Sequence, residues 1–355
     1  MAHDQLKGMV LAAGLGTRLR PLSYLRAKPA IPLLGRPLIQ HALDQLVEAQ
    51  IREAVVNLHH LPSTVLDAAA RSDMRIHFSK EETILGTAGA LAKVRDRLAG
   101  ATVAVINGKI YSEEKLSRAL EFHRERQALV TLVVLPYWEG CPFNPVLVDS
   151  DLRIRGFARS RRAMQSQAQS SATDGLRPFV FTGIHLIEPR VVDRIGEGYS
   201  DTVSDLYPPL ISEGGPVLAF VSDQYWFETS TPQRYLEKSI ELLRRSGGPA
   251  IPFGQHAGDS CVDTVLGRGC HIAPGAQIRE CVLWDRVDLS EGVSARRTIF
   301  TEGVRISTVQ AFDNCTITPC SEHLLTRSVG HDVRVTDEFI CWPMAGAPAE
   351  TSSGR

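Results

Sequence analysis

Much that would assign this chain to a simple class is missing, and each absence excludes something. Net charge is nearly absent: 39 Lys and Arg against 40 Asp and Glu leave −1, so no basic surface for nucleic acid is implied. No apolar run approaches the roughly 18 residues of a membrane span. The first ten residues, MAHDQLKGMV, lack the basic-then-apolar pattern of a secretory signal, and a cytoplasmic location is expected. The seven cysteines contain no Cys-x-x-Cys pair, and their odd number in a long chain points to free thiols rather than disulfides or a zinc site. What is present is length and apolar content: 355 residues, 43% hydrophobic, more than one core usually supports, so more than one domain is expected.

The most informative stretch is LAAGLGTRLRPL, residues 11 to 22, followed by Lys28 and Pro29. An apolar run over 8–13 reads as a buried strand. Gly14 and Gly16 then let the chain turn so that backbone N–H groups face an anion, and Arg18, Arg20 and Lys28 add positive charge. A dinucleotide fingerprint would need a third glycine where Leu19 stands. A Walker A loop would need Gly-Lys-Ser/Thr where Gly16, Thr17 and Arg18 stand.

The string resembles the signature of the sugar-nucleotide pyrophosphorylases, the nucleotidyltransferases of sugar 1-phosphates. The resemblance implies an α/β fold, a Rossmann-like mixed sheet. It also implies that Leu11, Ala12, Ala13, Gly14, Gly16, Thr17 and Arg18 hold a nucleoside triphosphate, with Arg18 steadying the leaving pyrophosphate and Lys28 reaching the α-phosphate. FSKEETILGTAGAL, residues 78–91, resembles the family's second nucleotide-facing segment and assigns Gly86 and Thr87 to the nucleotide; read alone, it is a glycine-started helix with Glu81 and Glu82 solvated. FVFTGIHLIEP, residues 179–189, resembles the segment whose glycine, here Gly183, lets backbone approach the sugar, with Thr182 where relatives often have Asn or Ser. YWFETSTPQRYLEKS, residues 225–239, resembles the close of the catalytic domain, with Thr231 or Ser230 capping a helix that Pro232 opens.

The chain alternates strand-like and helix-like segments up to residue 245, with strands expected over 53–58, 75–79, 101–106 and 128–135 and helices over 37–50, 112–126 and 232–245. Residues 160–177 are polar and read as an excursion over the site or as a plain surface loop. A Ser-Gly-Gly-Pro composition opens a linker over 246–258. Beyond it, aliphatic residues recur every six positions at Leu266, Ile272 and Ile278 and at Val287, Val293 and Ile299, with Gly269, Gly275, Gly292 and Gly303 at turns. That pattern looks like a short left-handed parallel β-helix over 259–344, followed by a tail over 345–355. Homo-oligomerisation through this second domain is expected. Acyl transfer by it has little support: no histidine sits in a catalytic setting, and His271 reads as an exposed turn residue.

Departures from the family concentrate in the catalytic centre. Where relatives carry Asn-Gly-Asp, this chain has Asn107, Gly108 and Lys109; where they carry Trp-x-Asp, it has Trp226, Phe227 and Glu228. In relatives those two aspartates share magnesium. A lysine removes one oxygen ligand, which leaves Glu228 as the metal-binding candidate and a Mg²⁺ cofactor in altered form. Glu-Lys-Pro of relatives is replaced around Ala158, Arg159 and Ser160, and Arg159 keeps the charge for the sugar phosphate beside Asn107, Gly108 and Gly183. Three readings of Lys109 stand open: it takes over electrostatic work of the metal, paired with Glu228; magnesium enters on the triphosphate and Glu228; or the site binds nucleotide sugar without turnover, as a regulatory homologue. The arrangement resembles mannose 1-phosphate guanylyltransferases, which implies GTP and mannose 1-phosphate as substrates. Glucose 1-phosphate uridylyl- and thymidylyltransferases share the same motifs.

Overall fold

Strand β1 (Gln5–Leu11) is buried on both faces at Met9 and Val10, and its Gly8 lies so close under Leu46 of helix α1 (Leu38–Glu48) that an added Cβ would sit 2.5 Å from Leu46 Cδ1. The computed structural model describes residues 5–158, 175–246, 261–328 and 332–344. Arg159, most of the excursion over 160–177, the linker beyond Ser246 and the tail lie outside the described residues. The chain divides into two compact units: residues 1–15 with 38–228, and residues 16–37 with 229–355.

The first unit holds a nine-stranded mixed sheet. After β1 come β2 (Glu53–Leu58), α2 (Pro62–Ala69), β3 (Arg75–Lys80), α3 (Gly86–Lys93), β4 (Ala101–Asn107), β5 (Ile110–Ser112), α4 (Leu116–Glu125), β6 (Val130–Pro136), β7 (Pro145–Val148), β8 (Ile154–Phe157), β9 (Arg177–Ile187), α5 (Tyr207–Ser212), β10 (Val217–Val221) and β11 (Trp226–Glu228). One path through the sheet runs β8-β7-β9-β4-β1-β2-β3, with β6 pairing both β9 and β10. Strands β4, β1, β2 and β3 are mutually parallel, and β9 returns antiparallel to β4. The inner parallel strands β4 and β2 read as apolar runs because both their faces are covered; Val103, Ala104, Val105 and Ile106 of β4 are wholly buried, whereas the edge strand β3 is polar and partly exposed. Each such Val or Ile is worth roughly 1.5–3 kcal/mol on burial. The register brings the ends of β1 and β4 together, Leu11 opposite Asn107, where α/β sheets bind ligands.

The second unit contains helix α6 (Pro232–Arg245), capped by the Thr231 hydroxyl, which accepts from Arg234 N at 3.2 Å. It also contains a parallel β-helix. Cys261 lies opposite Ile278, Ile278 opposite Ala295 and Ala295 opposite Phe312, so each coil advances 17 residues. Of the six aliphatic positions expected inside, Leu266, Ile278, Val287 and Val293 are buried in the coil's interior and Ile272 is half-buried against it, whereas Ile299 is buried on the outer face and Phe300 takes the interior place. Gly275 and Gly292, one coil apart, take φ of +89° and +76° at the turns, a conformation only glycine adopts cheaply. On one face the last coil, Cys315–Pro319, pairs antiparallel with Phe339–Pro343, which covers that sheet edge. Residues 16–37 pack in this same unit: Leu19, Leu22 and Ile31 share a core with Tyr235, Leu236, Val265, Val282, Trp284 and Ile299.

Candidate active site

At the end of β1, Gly108 N donates to Leu11 O at 2.9 Å, and Ala12 N donates to the buried Asn57 Oδ1 at 2.6 Å. Asn57 Nδ2 in turn donates to Glu81 Oε1 at 2.7 Å, and the other oxygen of Glu81 accepts from Leu85 N at 3.1 Å. A single carboxylate therefore ties the start of the glycine loop to the turn that opens α3. Glu81 is 2% exposed, so the solvated glutamate of the helix-only reading is not what the fold contains. Residue-type reasoning missed both Asn57 and Glu81. A polar side chain ending an apolar strand, and a carboxylate four residues before a helix N-terminus, were the available signals.

Gly86 has φ +76°, and a Cβ there would lie 2.4 Å from Ser200 O. Ala88 N and Gly89 N both donate to that carbonyl, at 2.9 and 3.0 Å. The hydroxyl of Thr87 is engaged with Asp201 Oδ2 and Thr202 Oγ1, each at 3.0 Å, and accepts from Thr202 N at 2.8 Å. In this structure, then, Gly86 and Thr87 dock α3 onto residues 200–202.

Gly14 belongs to the first unit; Gly16, Thr17, Arg18 and Lys28 belong to the second. Gly16 takes the left-handed conformation, φ +62°, and its carbonyl accepts from Ser23 Oγ at 2.8 Å. Thr17–Leu19 and Lys28–Ala30 are single 3₁₀ turns, and Lys28 is 8% exposed. Burying an ammonium costs several kcal/mol unless anionic or polar groups receive it.

Lys109 and Glu228 meet. Strands β5 and β11 form an antiparallel ribbon with Ile110 opposite Glu228, and Lys109 Nζ lies 2.9 Å from Glu228 Oε1. The Glu228 side chain is 10% exposed and that of Lys109 is 36% exposed, so the carboxylate is largely removed from water while the ammonium faces partly outward. Behind the pair, Tyr111 and Phe227 stack with ring centroids 5.4 Å apart, and Trp226 Nε1 donates to Thr182 O at 2.9 Å. The Thr182 hydroxyl donates to Val133 O at 2.8 Å. Next along β9, Gly183 has φ +86°, and a Cβ there would fall 2.3 Å from Asn107 Nδ2. Gly183 therefore makes room for the Asn107 side chain, which places Asn107, Lys109, Gly183 and Glu228 in one neighbourhood.

Beyond Phe143, whose ring lies 5.4 Å from that of Trp226, a cavity of about 800 Å³ is lined by Phe143, Asn144, Phe157, Ala158, Phe181 and Val203 among others. Ala158 is 4% exposed, at the position where the family pattern has glutamate. Among the described residues no three His, Cys, Asp or Glu side chains converge to hold a metal ion.

Two polar clusters, one buried and one partly exposed at Glu188, lie on β9 and just after it. Burial pushes the His185 imidazole down to about 3, and its Nδ1 lies 2.5 Å from the buried Tyr207 hydroxyl. His123, which shares Glu188 Oε1 with the Thr102 hydroxyl, holds that carboxyl below its usual range. Both clusters pin β9 to neighbouring elements. His271, with its side chain 72% exposed, faces Asp288 at 3.0 Å, an outward contact on the β-helix.

Residues 7–245 match the family described as nucleotidyl transferase. The chain belongs to that family. This nucleotidyl transferase is 29% identical over 317 residues to a mannose-1-phosphate guanylyltransferase of Mycobacterium tuberculosis, covering 84% of this chain and 85% of that protein. Mannose-1-phosphate guanylyltransferase 1 of Arabidopsis thaliana is 26% identical over 349 residues, covering 94% and 93%. A UTP–glucose-1-phosphate uridylyltransferase of Synechocystis is 26% identical over 321 residues, covering 85% and 76%. Among solved structures, HddC from Yersinia pseudotuberculosis, complexed with GMP-PN, superposes with a TM-score of 0.55 at 18% identity, covering 66% of this chain and 99% of that one, a likeness of fold. The family match stops at the last residue of α6, so the β-helix of this nucleotidyl transferase is additional to it. No helix among the described residues is long and apolar enough to cross a membrane.

Proposed function

We propose that this nucleotidyl transferase joins a sugar 1-phosphate to a nucleoside monophosphate unit, releasing pyrophosphate, and that Lys109 held by Glu228 does electrostatic work that relatives leave to a metal. GTP and mannose 1-phosphate are the substrates to test first, by analogy with the guanylyltransferases of similar sequence. The observation that carries the reading is the 2.9 Å contact between Lys109 Nζ and Glu228 Oε1 beside Asn107 and Gly183. The donor set does not fit the two-carboxylate magnesium site of the family pattern: Lys109 stands at one of its two carboxylate positions, and an oxygen of Glu228, at the other, already receives the Lys109 ammonium. The chemistry is therefore derived from the chain's own groups.

An oxygen of the sugar 1-phosphate bonds to the α-phosphorus while the bond to the β-phosphate oxygen breaks, and pyrophosphate carries away the electron pair. No covalent enzyme intermediate is needed. Positioning and charge stabilisation supply the acceleration. By the sequence signature Arg18 takes the leaving pyrophosphate and Lys28 the α-phosphate, while Asn107, Gly108, Gly183 and Arg159 receive the sugar phosphate; Lys109, which departs from the signature, sits against the phosphates. Glu228 keeps the Lys109 ammonium aimed, and the cavity beyond Phe143 takes the sugar ring.

A second reading has the same site sensing nucleotide sugar without turnover. It is favoured by the loss of one carboxylate at Lys109 and of another at Ala158. Pyrophosphate release from four nucleoside triphosphates with mannose, glucose and glucosamine 1-phosphates, with magnesium and with chelator, separates the readings. Release that persists in chelator supports Lys109 as the organiser, and release lost in chelator overturns that role. Silence with retained nucleotide-sugar binding supports the sensor.

A further inference from the structure

The segment that carries Arg18 and Lys28 packs in the unit of the β-helix, and the contacts come from successive coils. Val265, Val282 and Ile299 are opposite one another in the parallel ladder and are 0–2% exposed; they form an apolar stripe in the core that also contains Leu19, Leu22 and Ile31. Beside that stripe, the Arg26 guanidinium lies 5.4 Å from the ring centroid of Trp284 and donates to Glu302, which also accepts from Arg286. Trp284 Nε1 donates to Tyr235 OH at 3.1 Å, and that hydroxyl donates to Pro32 O at 2.6 Å. Near the chain's end Tyr24 meets Trp342, ring centroids 6.1 Å apart, with the Arg20 and Arg327 guanidinium groups 5.2 and 4.9 Å from its own ring.

These contacts bracket both functional cations in sequence. Arg18 lies between Leu19 and Gly16, where an added Cβ would sit 3.3 Å from Ser23 Cβ and 3.5 Å from Lys28 Cβ. Lys28 lies between Arg26 and the Pro32 carbonyl that Tyr235 holds. Single 3₁₀ turns such as Thr17–Leu19 and Lys28–Ala30 have little stability of their own, so their geometry is set by what they pack on.

We propose that the β-helix positions the phosphate-binding segment: Trp284 and Glu302 grip Arg26 and thereby hold Arg18 and Lys28 in binding geometry. This rests on the reading that Arg18 and Lys28 serve the triphosphate. On this account the second domain is part of the nucleotide site's framework, in addition to any role in assembly. Trp284 and Glu302 are positioning residues, since they act through Arg26.

The test uses the full chain with GTP as the calorimetric probe. Glu302→Gln and Trp284→Phe should each weaken GTP binding by about fivefold or more, a coupling of the size that links distinct sites, and raise KM for GTP more than KM for mannose 1-phosphate. Arg244→Gln is the control: it cuts the ion pairs from α6 to Asp263 and Glu280, in the same unit but away from residues 16–37, and should leave GTP binding unchanged. Unchanged GTP affinity in Glu302→Gln and Trp284→Phe, or an equal loss in Arg244→Gln, overturns the proposal. If Trp284→Phe fails to fold, Glu302→Gln, with a side chain 29% exposed, decides alone. Should the unaltered protein bind no nucleoside triphosphate, the triphosphate reading is what has failed. Hydrogen exchange over residues 16–37 then decides the grip: faster exchange in Glu302→Gln upholds it and unchanged exchange overturns it.

Discussion

Replacing Lys109 by alanine is the most direct test of the altered centre. The substitution leaves the Glu228 carboxylate, 10% exposed, without the ammonium 2.9 Å away. A hydrogen bond to a charged group is worth about 1.5–3 kcal/mol. Lys109 is itself 36% exposed, so solvent screening moves the stability loss toward the low end, about 1–2 kcal/mol. The effect on chemistry should be larger. Removing one preorganised charge contact from a phosphoryl-transfer centre costs about 10²–10³ in turnover. Lys109→Ala should therefore fold, melt a few degrees lower and lose pyrophosphate release by at least about 10²-fold. Lys109→Asp restores two carboxylates; without a cation they repel, so its activity should return only with added magnesium. Thermal melting and pyrophosphate release with magnesium and with chelator read both effects. Retention of more than about half the turnover in Lys109→Ala would rule out the electrostatic role of Lys109, because a group in contact with the transferring phosphate cannot be removed at so small a cost.

Other substitutions probe the remaining parts. Arg18→Ala and Lys28→Ala should each lower turnover by about 10² or more, and near-normal rates in both would remove these residues from the phosphate site. Gly183→Ala places a methyl 2.3 Å from Asn107 Nδ2 at φ +86°; a loss of about 1–3 kcal/mol in chemical denaturation is expected, and an unchanged midpoint would show that Asn107 moves freely. Glu81→Ala strips acceptors from Asn57 and from Leu85 N and should cost about 1–3 kcal/mol per orphaned donor, read from urea midpoints. His185 stays neutral in the fold down to about 3, whereas an unfolded histidine takes a proton near 6.5. Between those values the unfolded chain binds the extra proton, so stability rises with pH across the window and falls by about 1.4 kcal/mol per unit on acidification below 6.5. Denaturation midpoints of the unaltered protein and of His185→Gln at pH 7, 6, 5 and 4 test this: the variant should lack that share of the slope, and parallel profiles would contradict the assignment.

Fold class and the kind of chemistry were legible in residue order alone. The elements expected over 53–58 and 232–245 are present with the same boundaries, and of the two cap candidates, Thr231 and Ser230, it is Thr231 that caps the helix. Strand and helix periodicity are local properties written in side-chain order, and a dozen-residue phosphate-loop signature needs no tertiary context to be legible. The replacement at Lys109 was equally visible, since it is a change of residue type at a motif position. The six-residue aliphatic rhythm announced the β-helix because each face of a coil repeats the same burial.

The remaining features depend on how distant segments pair. That Lys109 reaches Glu228, 119 positions away, follows from the pairing of β5 with β11. That Glu81 is buried and links Ala12 to Leu85 through Asn57 depends on β2 bringing a polar side chain against another strand's end. That the Ser200 carbonyl and the Asn107 side chain crowd Gly86 and Gly183 is likewise a matter of topology, beside the ligand roles expected of these glycines. The grouping of residues 16–37 with the β-helix has no local signal, because Leu19, Leu22 and Ile31 read as core residues whatever core receives them. Hydrophobic burial is non-directional. A sequence shows which residues must leave water, and the topology alone settles which partners they leave it with.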